Sequence, residues 1–274
     1  MKRNFFIAMS LTPHQIKCKE ELESYGLTPK RELSQTFLVD PKGVERLING
    51  IKKVYRPNTK IVEIGGGMGY ITEALAKNFP KVEVLEIDPA MIKILKVKTQ
   101  NFASISLLKK DFRRYTSKEP YMLVGSIPFH LTSVFLKQFL WDAKNKPYAL
   151  SLIIDRQYAR TLMNPPPRSY RISVLAQTFG ALEIVADIPK EMAYPQPNII
   201  AAVINMVQEK KYNLPKNFWK IVHYHFDHFP TPEVESPKTM SIEQWIALCK
   251  SDERREKTCN SLLVSIGSSL ITRH

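Results

Sequence analysis

From residue 60 to residue 207, short apolar runs alternate with stretches of helical period. Residues 60–64, 82–88, 105–108, 121–124 and 149–154 form runs of strand length, and 182–188 and 201–207 repeat the pattern late in the chain. Between them the pattern is helical, as in 132–141 after a proline turn. Strands separated by helices predict a parallel sheet with crossover connections, hence an α/β fold, and the two late strands suit an antiparallel edge. Upstream, residues 11–27 read as a helix with apolar positions Ile16, Leu22 and Tyr25. A second helix, Pro41–Val54, is opened by Asp40 as N-cap and Pro41 in the first turn. Asn164-Pro165-Pro166-Pro167 predicts a rigid loop. Near Gln208-Glu209-Lys210-Lys211 the composition shifts, and a helical, aromatic-rich tail follows. The expected organisation is one domain over residues 1–207, with an N-terminal helical extension, and a small helical domain over 208–274.

The chemistry-bearing residues gather at strand ends. Lys60-Ile61-Val62-Glu63-Ile64-Gly65-Gly66-Gly67-Met68-Gly69-Tyr70-Ile71-Thr72 reads as strand, tight turn and helix. Gly65, Gly67 and Gly69 supply positive φ and let a ligand lie against the backbone. A plain strand-to-helix turn or a nicotinamide fingerprint has a similar outline, but the fingerprint needs its third glycine where Tyr70 stands. Glu63, ahead of the glycines, favours S-adenosylmethionine. Glu86, at the end of the second strand, lies where an acid accepts both ribose hydroxyls of a nucleoside, and Ile87 beside it is a further expected cofactor contact. Asp111 and Phe112, after the third strand, are placed to bond the cofactor's adenine amine and pack on its ring.

The fourth strand runs into Val124-Gly125-Ser126-Ile127-Pro128-Phe129-His130. A polar residue followed by Pro and an aromatic resembles the catalytic loop of adenine-N6 methyltransferases. The exocyclic amine of adenine is a poor nucleophile, because its lone pair is delocalised into the ring. Two acceptors aimed at its hydrogens orient it and follow its charge as it attacks. Here those are the Ser126 hydroxyl, also counted among the cofactor contacts, and the Ile127 carbonyl. Pro128 stiffens the loop, and Phe129 offers a stacking face. His130 is read as a loop-stabilising residue and not as a general base.

Taken together these segments resemble the ribosomal RNA adenine dimethylases, the KsgA and Erm enzymes, over roughly residues 20–207. The resemblance includes Leu33-Ser34-Gln35-Thr36-Phe37-Leu38-Val39-Asp40, where the family reads Gly-Gln-Asn-Phe-Leu. Gln35, Phe37 and Leu38 match, while Ser34 and Thr36 depart. It also includes Ser169-Tyr170-Arg171-Ile172-Ser173-Val174-Leu175-Ala176-Gln177 and Tyr194-Pro195-Gln196-Pro197. It implies a Rossmann-like S-adenosylmethionine-dependent methyltransferase fold with a small C-terminal helical RNA-binding domain. It further implies methyl transfer to adenine N6 in ribosomal RNA, with Gln35, Phe37 and Leu38 closing over the methionine end of the cofactor. Ser126 stands where the family has Asn. Residues 21–30 and 173–177 look KsgA-like, which implies small-subunit RNA. Residues 127–133 and the short tail look Erm-like, which implies large-subunit RNA and macrolide resistance. A ribosome-assembly or transcription factor of the same fold that has lost catalysis is the third reading.

Composition is consistent with this. The 274 residues, 44% hydrophobic, are enough for one good-sized core plus an appendage. The formal charge of +14 points to a polyanionic partner, ribosomal RNA or a ribosomal subunit precursor. Lys17, Lys19, Lys30 and Arg31, and Lys109, Lys110, Arg113 and Arg114, are the candidate phosphate contacts. Cys18, Cys249 and Cys259 are too scattered for a disulfide framework and suggest a reducing compartment. Residues 1–11 mimic a short signal peptide without a convincing cleavage site, and no run is long enough to span a membrane, so the expectation is a cytoplasmic monomer. His223, His225 and His228 lie in the tail among aromatics. Helical geometry separates the first two, so they are read as part of a packing helix and no metal is expected. Trp219, Phe226 and Phe229 are read as tail core. Residues 254–262 resemble a basic stretch of KsgA-type tails.

Overall fold

The structure, a computed structural model, describes residues 10–252. The apolar run at residues 1–9, the basic stretch 254–262 and Cys259 lie outside the described residues. Two compact units divide the chain. Among the described residues, one holds 10–159 together with 181–208, and the other holds 160–180 together with 209–252. The segment 160–180, assigned to the first domain on sequence grounds, therefore clusters with the tail.

In chain order the elements are α1 (Pro13–Ser24), β1 (Phe37–Leu38), α2 (Pro41–Val54), β2 (Lys60–Ile64), α3 (Tyr70–Asn78), β3 (Val82–Glu86), α4 (Pro89–Thr99), β4 (Ile105–Lys109) and β5 (Tyr121–Ser126). There follow α5 (Thr132–Lys137), β6 (Ala149–Asp155), α6 (Arg156–Leu162), α7 (Arg171–Phe179), β7 (Gly180–Ile188), β8 (Ala193–Tyr194), β9 (Ala201–Gln208) and α8 (Phe218–His228). A seven-stranded sheet of order β4-β3-β2-β5-β6-β9-β7 forms the first unit. The pairs β2–β3, β3–β4, β2–β5 and β5–β6 are parallel, and β9 runs antiparallel to β6 from Ala149↔Val207 to Asp155↔Ala201. The strand order turns back between β2 and β5, which opens a crevice at the carboxyl ends of these strands. A two-stranded ribbon, β1 with β8, adds Phe37↔Tyr194 and Leu38↔Ala193.

The central strands are almost wholly buried, which is why they read as continuous apolar runs and not as alternation. Leu47 and Ile51 of α2, Leu75 of α3, Val84, Leu95, Met122 and Val124 form one core cluster, each with no exposed surface. Each such side chain contributes on the order of 1.5–3 kcal/mol by leaving water. The helix starts follow the sequence signals. Asp40 accepts Lys42 N–H at 2.8 Å, and Asp88, followed by Pro89, accepts Ala90 N–H at 3.0 Å.

Three local expectations are corrected. In α1 the buried face is Gln15, Cys18 and Leu22, whereas Ile16 and Tyr25 are exposed. The Gln15 side chain donates to the Ala193 carbonyl at 2.8 Å, so a polar anchor sets the face of this helix. The helix expected over 132–141 is α-helical only to Lys137 and continues as a π-helical turn, Gln138–Asp142. That wider turn brings the Phe139 ring to 4.8 Å from Phe135, which in turn lies 5.3 Å from Phe112. In the second unit Phe218 and Trp245 are fully buried and Trp219 nearly so, but Phe229 is 48% exposed and is no part of the tail core.

Within that unit Arg171 of α7 pairs with Asp227 of α8 at 2.7 Å and meets His223 Nδ1 at 2.9 Å. His225 is buried against Thr231 Oγ1 at 2.7 Å, and burial lowers its pKa. The His228 ring meets the Tyr224 carbonyl. The three histidines thus have separate partners, and among the described residues no His, Cys, Asp and Glu cluster suited to a metal forms. No described helix is long and apolar enough to cross a membrane.

Candidate active site

A cleft of about 440 Å³ lies at the carboxyl ends of β2, β3, β4 and β5. It is lined by Gly65, Gly67 and Gly69, by Glu86 and Ile87, by Asp111 and Phe112, by Ser126, Ile127 and Pro128, and by Gln35, Phe37 and Leu38. The structure thus brings together every catalytic and cofactor-binding candidate named from the sequence except Glu63 and Phe129.

The turn after β2 has φ of 75° at Gly65, 51° at Gly67 and 84° at Gly69. A Cβ placed on Gly65 would meet no protein atom within 4 Å, so the side of the turn facing the cleft is open to a ligand. The Phe37 ring packs against the same turn, 2.9 Å from where a Cβ on Gly67 would sit. Glu86 is held by three backbone N–H groups: Gly67 donates to Oε2 at 2.8 Å, and Ile87 and Asp88 donate to Oε1 at 2.8 and 2.9 Å. A carboxylate has about four acceptor positions, so Oε2 keeps one for a ligand.

Glu63, expected to face the cofactor, does not line the cleft. It is fully buried, and its Oε2 accepts the Thr72 hydroxyl at 2.7 Å while Oε1 has no partner. Burial pushes its pKa up to about 8; the Thr72 bond opposes this and the Glu86 charge adds to it. Burial thus favours the protonated, neutral form of Glu63. An uncompensated buried carboxylate costs more than holding the proton.

Asp111 follows β4 and lines the same cleft. Arg113 donates its backbone N–H to Oδ1 at 2.9 Å and its Nε to Oδ2 at 2.9 Å, which holds the Asp111 carboxyl below the usual carboxylate range. Gln35 donates Nε2 to Asp88 Oδ2 at 2.8 Å and accepts Lys30 N–H at 2.9 Å, and Lys30 Nζ reaches Asp88 Oδ1 at 2.9 Å. The segment that carries Gln35, Phe37 and Leu38 is thus tied to the residue two positions beyond Glu86. Burial raises the Asp88 pKa, but the bonds from Lys30, Ala90 and Gln35 outweigh it, and the carboxyl stays below its ordinary value. Asp88 was read from the sequence only as a strand end. Its role could have been found from Asp-Pro at a helix start, but its partners are 53 and 58 positions away in sequence. Of the basic residues named as phosphate contacts, Lys19, Lys30 and Arg113 have carboxylate partners.

A second cavity of about 780 Å³ adjoins the first. Phe129 lines it, with Arg31, Ile153, Pro195, Pro197 and Asn198. Ser34, Gln35, Thr36, Leu38, Ser126, Ile127, Pro128 and His130 line both cavities. The partition is therefore the Ser126–Pro128 loop on one side and the upstream segment on the other. Ser126 is the last residue of β5, paired with Ile153 of β6, and Ile127 N–H donates to the Ile153 carbonyl at 3.0 Å. The Pro128 carbonyl accepts Leu131 N–H at 2.9 Å. These bonds fix the loop before any ligand arrives.

Residues 26–226 match the sequence profile described as ribosomal RNA adenine dimethylase. The chain belongs to that family. Among curated relatives it is 29% identical over 209 residues to "Ribosomal RNA small subunit methyltransferase A" of Bacillus licheniformis, covering 72% of this chain and 70% of that protein. The protein of the same name from Dehalococcoides mccartyi is 26% identical over 197 residues, covering 70% and 67%. Among solved structures the fold is similar to the 23S rRNA methyltransferase ErmE, with a TM-score of 0.63, 22% identity, and 78% and 98% of the two chains covered. It is also similar to a dimethyladenosine transferase from Plasmodium falciparum, with a TM-score of 0.56, 18% identity and 62% of each chain covered. The fold is that of S-adenosylmethionine-dependent methyltransferases, and the methyl donor of this family is S-adenosylmethionine. The cleft fits that molecule: an open glycine cradle, an acidic group with an acceptor position left, the half-exposed side chain of Ile87, and an aromatic, Phe112, in its wall.

Proposed function

We propose that the protein transfers methyl groups from S-adenosylmethionine to N6 of adenine in small-subunit ribosomal RNA, acting on the RNA or on a subunit precursor. The observation that carries this reading is the pair of cavities that meet at Ser126–Pro128. One suits the donor, and the other has Phe129 in its wall and room for an unstacked base. The small-subunit assignment is supported by the names of the sequence relatives at 26–29% identity.

The cofactor supplies a methyl already activated on positively charged sulfur. What the chain adds is placement. Gly65, Gly67 and Glu86 hold the nucleoside end, with Asp111 and Phe112 at its adenine. Phe129 stacks on the target base, and the Ser126 hydroxyl and Ile127 carbonyl accept its N6 hydrogens, so the nitrogen lone pair lies in line with the methyl. No strong base is needed, because the nitrogen becomes acidic as its bond to carbon forms. A base inside a duplex does not reach such a pocket, so the target adenine lies in a loop or junction.

Single-turnover transfer of tritiated methyl to small-subunit RNA, large-subunit RNA and the assembled subunits tests this. Transfer to small-subunit substrate is expected, with Ser126→Ala about tenfold slower and Ser126→Asn as fast or faster. Transfer to large-subunit RNA alone would move the assignment to the Erm type. No transfer at all, with tight cofactor and RNA binding, would leave an assembly factor.

A further inference from the structure

We infer that Ser34 is a positioning residue, tied through His130 to the catalytic loop; the inference rests on the methyl-transfer reading of that loop. Ser34 and Asn58 are the described non-glycine residues with positive φ, at 49° and 61°. Asparagine tolerates the left-handed region, while serine rarely enters it. Ser34 closes the short turn Arg31–Leu33, its N–H donating to the Arg31 carbonyl at 2.9 Å. Glycine would make that turn without strain. The serine side chain, however, does what glycine cannot. Its Oγ lies 3.4 Å from His130 Nδ1, across the wall shared by the two cavities.

The two residues come from opposite sides of that wall. Ser34 sits on the segment held to Asp88 by Lys30 and Gln35. His130 sits in the turn that begins at Phe129, next to the proposed stacking face. A bond between them passes the position of the cofactor-side segment to the loop that carries Ser126 and Phe129. At 3.4 Å the contact is long, as catalytic hydrogen bonds often are before ligands bind, and closing the first cavity around the cofactor would shorten it. Backbone strain kept beside a reaction centre, with its side chain engaged there, is the pattern expected of a positioning residue.

The test combines spectroscopy and kinetics. His130→Gln assigns the His130 signal in proton–nitrogen spectra of the histidine rings. Ser34→Gly should shift that signal. S-adenosylhomocysteine should shift it in the parent, and much less in Ser34→Gly. Ser34→Gly should not lower the melting temperature and should leave S-adenosylhomocysteine affinity within about twofold. It should nonetheless slow single-turnover transfer by roughly fivefold to tenfold, the scale of one modest hydrogen bond. Ser34→Ala should slow transfer equally, and the double variant Ser34→Gly/His130→Ala should be no slower than either single one. A His130 signal indifferent to Ser34→Gly overturns the inference, whether or not the parent transfers methyl. So do Ser34→Gly transfer at the parent rate and multiplicative losses in the double variant. A parent that transfers no methyl sinks the functional reading instead, and the ring spectra still decide this one.

Discussion

Two carboxylic acids near the cleft illustrate how environment assigns roles to like residues. Glu86 is surrounded by backbone donors, with one acceptor position left for a ligand. Glu86→Gln keeps the chain length but replaces one acceptor oxygen by a donor that faces N–H groups. S-adenosylhomocysteine affinity should fall by about 1.5–3 kcal/mol, the scale of a charge-assisted hydrogen bond, read by calorimetry. Unchanged affinity in a folded variant would remove the ribose assignment. Glu63 is the opposite case. Its pKa rises on folding from an ordinary 4.5 to about 8, so between those values the folded state holds a proton that the unfolded state has released. Stability must then decline as pH rises through that window, by up to about 1.4 kcal/mol per pH unit, and level off above and below it. Glu63→Gln, which cannot ionise, should flatten that slope. Urea midpoints at several pH values between 5 and 9 measure it, and equal slopes in parent and variant would show that Glu63 carries no proton.

At the level of elements, β5 reaches the site only because it lies so close to β2. A Cβ on Gly125 would sit 2.6 Å from the Ile64 carbonyl oxygen, a backbone atom that cannot turn aside. Gly125→Ala should cost about 1–3 kcal/mol of stability by chemical denaturation and displace Ser126 with it. A variant as stable as the parent would mean that the two strands separate readily. Strands β2, β3, β5, β6 and β9 were legible from the sequence because burial on both faces writes itself as nearly unbroken apolar runs, whereas β4 and β7 are partly exposed along their length. The ribbon of β1 with β8 was not, since two residues carry no period and their pairing spans over 150 positions. The glycines, Glu86, Asp111 and Ser126 were legible as a set because each follows a strand, and parallel strands deliver their ends to one side. Glu63 was misread because the sequence shows that it precedes the glycines but not which way its side chain turns. Phe129 was expected at the target base, and it lines the cavity on the far side of the loop from the cofactor cleft. Asp88 showed locally as a helix cap before Pro89, but its ties to Lys30 and Gln35 left no local trace, being contacts between distant segments.

For the molecule as a whole, a formal charge of +14 over 274 residues sets the expectation for RNA. Binding should weaken steeply with salt, log K falling linearly with log salt as condensed counterions are released. Filter binding or anisotropy between low and physiological ionic strength measures the slope, and a flat line would exclude the basic surface as an RNA track. The second unit is assembled, among the described residues, from two pieces of chain, 160–180 and 209–252. In a chain growing from its N-terminus, α7 is made before β7 and β9, and α8 only after them. At the usual pace of translation α7 waits on the order of seconds for Asp227 to reach Arg171. During that interval Val174, Leu175 and Phe179, all buried in the finished fold, lack the tail that they cluster with. The second unit is thus completed only when the last of its segments has left the ribosome on which it is made.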